Sequence, residues 1–243
     1  MVLRRAEAEG YNSGDRTLDQ TMTLAALNAE LHKVLPDAQL LAARLPGLEE
    51  LELWLLDPAN LDRAFASDET RRLLEHPPYW GFCWGSGLAL ARWVLDHPEQ
   101  VRGKRVLDFG AGSGVVALAC KLAGAASVIA CDLDHPAQLA CALNARCNDM
   151  RLEIAGDYFA VSGPLDLIIA ADVLYDAENR PLLDHFAQRA TAVLIADSRV
   201  RTLDHPPYQR QQILPGRTWP DLGEPEEFRQ VSLYAAGAAL HGA

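Results

Sequence analysis

The spacing of apolar residues changes along the chain, and each rhythm predicts a different element. Leu24, Leu27, Leu31 and Leu35 recur at helical spacing as far as Pro36, which predicts an amphipathic helix. Leu48 to Leu56 partly alternates and stops at Asp57-Pro58, which predicts a strand. A Pro/aromatic segment, residues 77–85, leads into a helix expected from about Leu88 to Asp96, closed by Pro98. From Arg102 onward, strands alternate with helices. Short apolar runs at Val106–Phe109, Ser127–Cys131, Arg151–Ala155, Leu165–Ala170 and Ala192–Ala196 read as strands. Helices are expected between them over Val115–Ala123, Pro136–Cys147 and Pro181–Arg189. The runs Leu165–Ala170 and Ala192–Ala196 lack polar alternation, as central strands covered on both faces require. The tail from Phe228 to Ala235 alternates weakly and is expected to form an edge strand. Residues 199–225, rich in Pro, Arg and Gln, read only as loop.

Repeated βα units predict an α/β fold with a doubly wound, mostly parallel sheet and right-handed crossovers. The expected organisation is an N-terminal helix–strand extension over residues 1–76, then one domain over 77–243. Composition narrows the partners. The 243 residues carry a net charge of −11, which argues against sequence-independent binding to nucleic acid or an anionic membrane. The five cysteines form no C-x-x-C pair and sit mostly in apolar runs, so they read as buried thiols in a reducing compartment. Residues Met1 to Glu7 contain no apolar core of a secretory signal, and a cytoplasmic location is expected.

The strongest chemical signal is Val106-Leu107-Asp108-Phe109-Gly110-Ala111-Gly112-Ser113-Gly114-Val115, a buried strand running through a glycine turn into a helix. Glycines at such a turn let backbone N–H groups approach a ligand. Asp132 follows at the end of the next strand, where a carboxylate can accept both hydroxyls of a ribose. No G-x-x-x-x-G-K-[ST] phosphate loop is present. A dinucleotide fingerprint starting at Gly110 would need a small residue where Val115 stands, which disfavours a nicotinamide-dependent oxidoreductase. Asp108, two residues before the glycines, would repel a pyrophosphate and attract an ammonium. A ligand with a cation near the loop and a ribose at the second strand fits S-adenosylmethionine.

These residues carry a resemblance. V-L-D-F-G-A-G-S-G followed by Val128-Ile129-Ala130-Cys131-Asp132 resembles the first motif and its successor in the class I, seven-strand S-adenosylmethionine-dependent methyltransferases. The segment from Pro77-Pro78-Tyr79-Trp80 through Ala91 resembles the lead-in of the lysine methyltransferases similar to the electron-transfer-flavoprotein β-subunit enzyme. Asp172-Val173-Leu174-Tyr175 matches that group's D-x-x-Y signature. The wider group includes nicotinamide-methylase-like members.

The resemblance implies a seven-stranded sheet and a set of site residues. Gly110, Ala111, Gly112 and Gly114 would pass under the methionine part of the cofactor, and Asp108 would hold its amino group through water. Asp132 would hold the ribose. Asp157 would meet the adenine amine and Tyr158 its face, while Trp84 would close over the cofactor from the N-terminal side. Ala171 and Asp172 lie at the carboxyl end of a central strand, the edge where open α/β sheets bind ligands. Methyl transfer needs an aligned nucleophile with a free lone pair. Asp172 would orient a lysine amine, and Tyr175 would line its channel. Transfer to a protein lysine is the leading function. The alternatives are a small-molecule N-methyltransferase and a cofactor-binding protein without turnover. Four of the seven histidines precede proline and read as loop residues, and no metal site is expected.

Overall fold

The computed structural model describes residues 13–237, with side chains from Met22 onward, so Met1–Glu7, read above for a leader, lie outside the described residues. The N-terminal part comprises helix α1 (Ser13–Val34), a hairpin of β1 (Leu40–Leu45) and β2 (Leu48–Leu56), and helix α2 (Ser67–Glu75). Helix α3 (Gly85–Asp96) leads into β3 (Arg105–Phe109), α4 (Val115–Leu122), β4 (Ser127–Cys131), α5 (His135–Cys147), β5 (Glu153–Ala155), β6 (Leu165–Ala171), α6 (Leu182–Arg189) and β7 (Ala190–Asp197). Strands β8 (Gln209–Pro215) and β9 (Gln230–Gly237) complete the sheet.

Seven strands lie in the order β5-β4-β3-β6-β7-β9-β8. The pairs from β5 through β7 are parallel, while β9 runs antiparallel to both its neighbours. The expected mostly parallel, doubly wound, seven-stranded sheet is therefore observed. The unbroken apolar runs have a direct cause. In β6, Leu167 and Ile169 enter the core under α3, α4 and α5, while Ile168 and Ala170 enter the opposite core with Phe186 of α6. Each face is buried, so neither needs polar side chains.

The tail is not an edge. β9 is buried along its length between β7 and β8, and the edge strand is the largely exposed β8, inside the segment that read as loop. Gln209-Arg210-Gln211-Gln212 carries no strand-like apolar pattern because one flank and much of its surface face solvent. The hairpin partner β1 was also not anticipated. Leu-Leu-Ala-Ala-Arg-Leu has little alternation, and its pairing with β2 through the Pro46-Gly47 turn is what makes it a strand. Helix α3 begins three residues earlier than expected, with glycines inside it. A Cβ on Gly87 would stand 3.3 Å from Val115 Cγ1, and one on Gly85 3.3 Å from the Arg217 backbone N, so both sit where the chain packs too closely for a larger residue.

The N-terminal elements bear on the site through α5. Leu27, Leu31 and Leu35 pack with Ala137, Ala140 and Leu143, each leucine fully buried and stabilising by roughly 2 kcal/mol. Side chains of α5 also satisfy the β2 backbone. The Trp54 N–H donates to Asn144 Oδ1 at 2.7 Å and the Glu52 N–H to Asn148 Oδ1 at 3.0 Å. Asn144 Nδ2 in turn donates to the Ser113 carbonyl at 2.9 Å, which ties the extension to the glycine loop. No described helix is long and apolar enough to cross a membrane.

Candidate active site at the carboxyl edge of the sheet

The glycine loop is a run of left-handed residues. Gly110, Gly112 and Gly114 have φ of 68°, 53° and 80°, a region costly for residues with a Cβ. Their surroundings differ. A Cβ on Gly110 would strike Val173 Cγ1 at 2.8 Å, and one on Gly114 would crowd Cys141 Sγ at 3.2 Å. A Cβ on Gly112 would meet nothing closer than the Gly110 carbonyl at 4.0 Å. Gly112 therefore lacks a side chain on the side that opens into a cavity, whereas the other two are constrained by protein. Gly114 is the N-cap of α4, and Val115 after it packs against α3.

The two acids that frame the loop are held differently. Asp132 faces the cavity, and its carboxylate is fixed by the N–H of Gly112 to Oδ2 at 2.9 Å and of Asp134 to Oδ1 at 3.0 Å. Burial nonetheless pushes its pKa up. Asp134 occupies the N-cap position of α5 without a side-chain cap bond, and its own backbone N–H goes to Asp132. Asp108 is 2% exposed and does not line the cavity. Its Oδ2 accepts from the Ala117 N–H at 2.9 Å, at the first turn of α4. Burial raises its pKa to about 7, and the charge of Asp132 adds to the rise. Its carboxylate thus caps the first turn of α4 from beneath the loop and is set back from the cavity wall. Ala111 also lies outside the cavity wall, as does Gly114.

Beyond β5, Asp157 Oδ1 accepts from the Phe159 N–H at 2.8 Å and lines the cavity. Tyr158, expected against a ligand ring, is 4% exposed and stands edge-on to Phe109 and Phe186, with the Arg189 guanidinium 4.8 Å over its ring. It touches the cavity only as part of its floor. The exposed ring is Phe159, at 64%, and Leu133, just after β4, also lines the cavity at 82% exposed. Both are apolar residues directly following a site acid or its neighbour, a signal present in the sequence.

At the end of β6, Asp172 adopts φ 50° and organises three segments. Its Oδ1 accepts from Ser86 Oγ at 2.6 Å, Ser198 N–H at 3.1 Å and Ser198 Oγ at 2.8 Å, and its Oδ2 accepts from the Ser86 N–H at 3.2 Å. Asp172 therefore caps α3 from across the sheet. Asp197, at the end of β7, reciprocates by accepting the Leu174 N–H, so the ends of β6 and β7 are cross-linked by each other's carboxylates. Tyr175 is half exposed, with burial still raising its pKa, and its ring lies 6.2 Å from that of Tyr79. Tyr79 is edge-on to Trp84 at 5.7 Å, and Trp84 Nε1 donates to the Tyr79 carbonyl at 2.9 Å.

These groups enclose one cavity of about 630 Å³. Trp84, Gly110, Gly112, Asp132, Asp157, Ala171, Asp172 and Tyr175 all line it. Its long axis crosses the sheet from the β5/β4 end, with Asp157 and Asp132, to the β6/β7 end, with Asp172 and Ser198. Among the described residues no group of three or more His, Cys, Asp or Glu is placed to hold a metal ion.

Comparison with known proteins bears on the fold. The crystal structure of the 16S rRNA N2 G1207 methyltransferase of T. thermophilus, in complex with AdoMet and guanosine, superposes with a TM-score of 0.52 at 17% identity, over 83% of this chain and 51% of that one. The chain has the class I methyltransferase fold. Residues 90–197 match the family model of ribosomal protein L11 methyltransferase (PrmA). The electron transfer flavoprotein beta subunit lysine methyltransferase of Xenopus laevis is 38% identical over 160 residues, covering 62% of this chain and 65% of that protein. Its counterpart in Mus musculus is 38% identical over 128 residues, covering 49% and 50%. The chain thus spans about half to just under two thirds of the length of these curated relatives. The resemblance read from the motifs is borne out at this level.

Within the class I methyltransferase fold, three of the cavity residues missed by the sequence reading escaped it for a physical reason. Ser198, Arg199 and Glu224 lie in or beside the segment that read as loop. Ser198 and Arg199 reach it because they follow the parallel strand β7, and Glu224 because β9 inserts between β7 and β8 and puts the β8–β9 connection at the carboxyl edge.

Proposed function

We propose that this chain is an S-adenosylmethionine-dependent protein methyltransferase acting on a lysine side chain. The observation that carries the reading is the pairing of an unobstructed Gly112 with a cavity-facing Asp132 whose carboxylate is held by the Gly112 and Asp134 N–H groups. That pairing fits an adenosyl group bearing a methionine arm. Gly112 leaves room for the arm beside the backbone, and the fixed carboxylate presents its remaining lone pairs to ribose hydroxyls. Leu133 and Phe159 supply apolar surface for an adenine, and Asp157 a nearby acceptor. The cofactor would supply an activated methyl on a sulfonium.

The chain's own residues would do the rest. Tyr79, Trp84 and Tyr175 form an aromatic mouth that narrows access and excludes water from a displacement. Their ring faces suit a cation arriving on an aliphatic stem. Asp172, fixed by Ser86 and Ser198, lines the cavity with its Oδ2 committed to the Ser86 N–H alone, and would orient the amine. The lysine methyltransferase relatives, 38% identical, support a protein substrate. The reading extends to a reducing compartment, the cytoplasm, which suits five free cysteines of which four are buried.

Incubating purified protein with methyl-labelled cofactor and a cell lysate tests the proposal. Label on a protein band, mapped to lysine, supports it. Label confined to the small-molecule fraction moves the function to the alternative N-methyltransferase. Affinity for S-adenosylhomocysteine without transfer to either fraction leaves a binding protein.

A further inference from the structure

The cavity end away from the adenosyl side contains a carboxylate that the reading above does not use. Glu224 lies on the β8–β9 connection, and its side chain is only 18% exposed. Its Oε2 accepts from the Thr218 hydroxyl, and Thr218 Oγ1 itself accepts from the Gly85 N–H at 3.1 Å. Glu224 is therefore tethered to the first residue of α3, while Asp172 is tethered to the second, Ser86. Two acids from distant parts of the chain are thus fixed to one helix start and face the same cavity. The other oxygen, Oε1, is far less committed. Among the described residues it meets only the Arg199 guanidinium, at 3.7 Å, too long for a hydrogen bond. Arg199 has a competing attachment, since its guanidinium lies 4.6 Å over the Phe228 ring.

We infer that Glu224 is the specificity-determining carboxylate for a cationic acceptor, receiving the ammonium of the incoming lysine at Oε1 before it gives up one proton to solvent and the neutral amine takes the methyl. This rests on the lysine methyltransferase reading and deepens it. The placement follows from the strand order. Asp157 and Asp132 mark the β5 and β4 end, the glycine loop follows β3, and Asp172, Ser198 and Glu224 lie toward β6, β7 and β9. A methyl delivered above the glycine loop would face that second group. An acceptor stem passing between Tyr79 and Tyr175 would carry its charge toward a mostly buried carboxylate with a free oxygen. A charge-assisted bond there is about twice as strong as a neutral one. A hydroxyl or an apolar acceptor would leave Glu224 poorly matched, which supplies discrimination.

The experiment uses two analogues in which a tertiary nitrogen replaces the cofactor sulfur. One carries a 2-aminoethyl arm in place of the methyl, and the other an n-propyl arm of equal length. Both are titrated calorimetrically beside S-adenosylhomocysteine. Wild-type protein should favour the amine arm by about tenfold or more. Glu224→Gln retains an oxygen for the Thr218 hydroxyl, so it should fold normally and keep its affinity for S-adenosylhomocysteine while losing most of that preference. Arg199→Gln, which removes the competing cation, should enlarge it. No preference for the amine in wild type overturns the inference, as does a preference that survives Glu224→Gln, since Asp172 would then be the receiver. In both cases intact binding of S-adenosylhomocysteine leaves the methyltransferase reading standing. Wild-type protein that fails to bind S-adenosylhomocysteine ends both.

Discussion

Asp108 is a carboxylate whose burial should be readable as a stability slope. Its pKa is about 7 in the folded protein against an ordinary 3.8. Burial is the main cause, opposed by the bond from the Ala117 N–H and reinforced by Asp132. Because the folded pKa is raised, the native state holds a proton that the unfolded chain has released, from about pH 4 to about pH 7. Stability from this group is therefore greatest below pH 4, falls as pH rises, and levels off above pH 7. Three units at about 1.36 kcal/mol each set a ceiling near 4 kcal/mol for the charged form. Some 1.5 kcal/mol of that is spent by pH 5, so roughly 2.5 kcal/mol is lost between pH 5 and pH 8. Asp108→Asn keeps an oxygen for the Ala117 N–H and cannot ionise. Any cost of placing its amide NH₂ is independent of pH, and Asp132, Asp134 and Asp197, whose pKa values burial also raises, titrate in both proteins. Urea unfolding followed by tryptophan fluorescence at pH 5 and pH 8 should show the variant gaining about 2.5 kcal/mol on the wild type across that interval. A difference flat to within about 0.5 kcal/mol, or one that shrinks with pH, refutes a buried, proton-holding Asp108.

The two neighbouring glycines should separate folding from binding. Gly110→Ala, with its Cβ 2.8 Å from Val173, should cost about 2 kcal/mol or more in thermal unfolding, whereas Gly112→Ala should cost about 1 kcal/mol but lose S-adenosylhomocysteine affinity at least tenfold by calorimetry. Equal behaviour of the two would mean that Gly112 faces no ligand. Asp172→Ala strands the hydroxyls and N–H groups of Ser86 and Ser198, so it should lower stability by about 2–4 kcal/mol as well as abolish transfer, and an unchanged melting temperature would disprove its capping of α3. Cys83, Cys120 and Cys141 are buried, with burial pushing their thiols up, so at pH 8 a thiol reagent should react rapidly with at most the half-buried Cys147. A fast thiol at Cys120 or Cys141 in native protein would contradict the packing of α4 and α5.

What the sequence determined by itself was everything encoded in short stretches. The βα alternation, the glycine turn with its flanking acids, and the D-x-x-Y after β6 are local patterns, because buried parallel strands and a left-handed turn impose their composition on consecutive residues. Tertiary structure alone decided which way those residues face and what meets them. Asp108 and Tyr158 carry the expected residue types at the expected positions, yet one turns beneath α4 and the other into an aromatic core. Asp172 caps not the segment that follows it but a helix more than eighty residues earlier, a bond with no local signature. Strand β8 is polar because it is an edge, β9 is central because it inserts beside β7, and that insertion brings Glu224 to the cavity beside Ser198 and Arg199 at the end of β7. Pairing across a sheet joins residues by position in space, so no window along the chain could have assembled that end of the site.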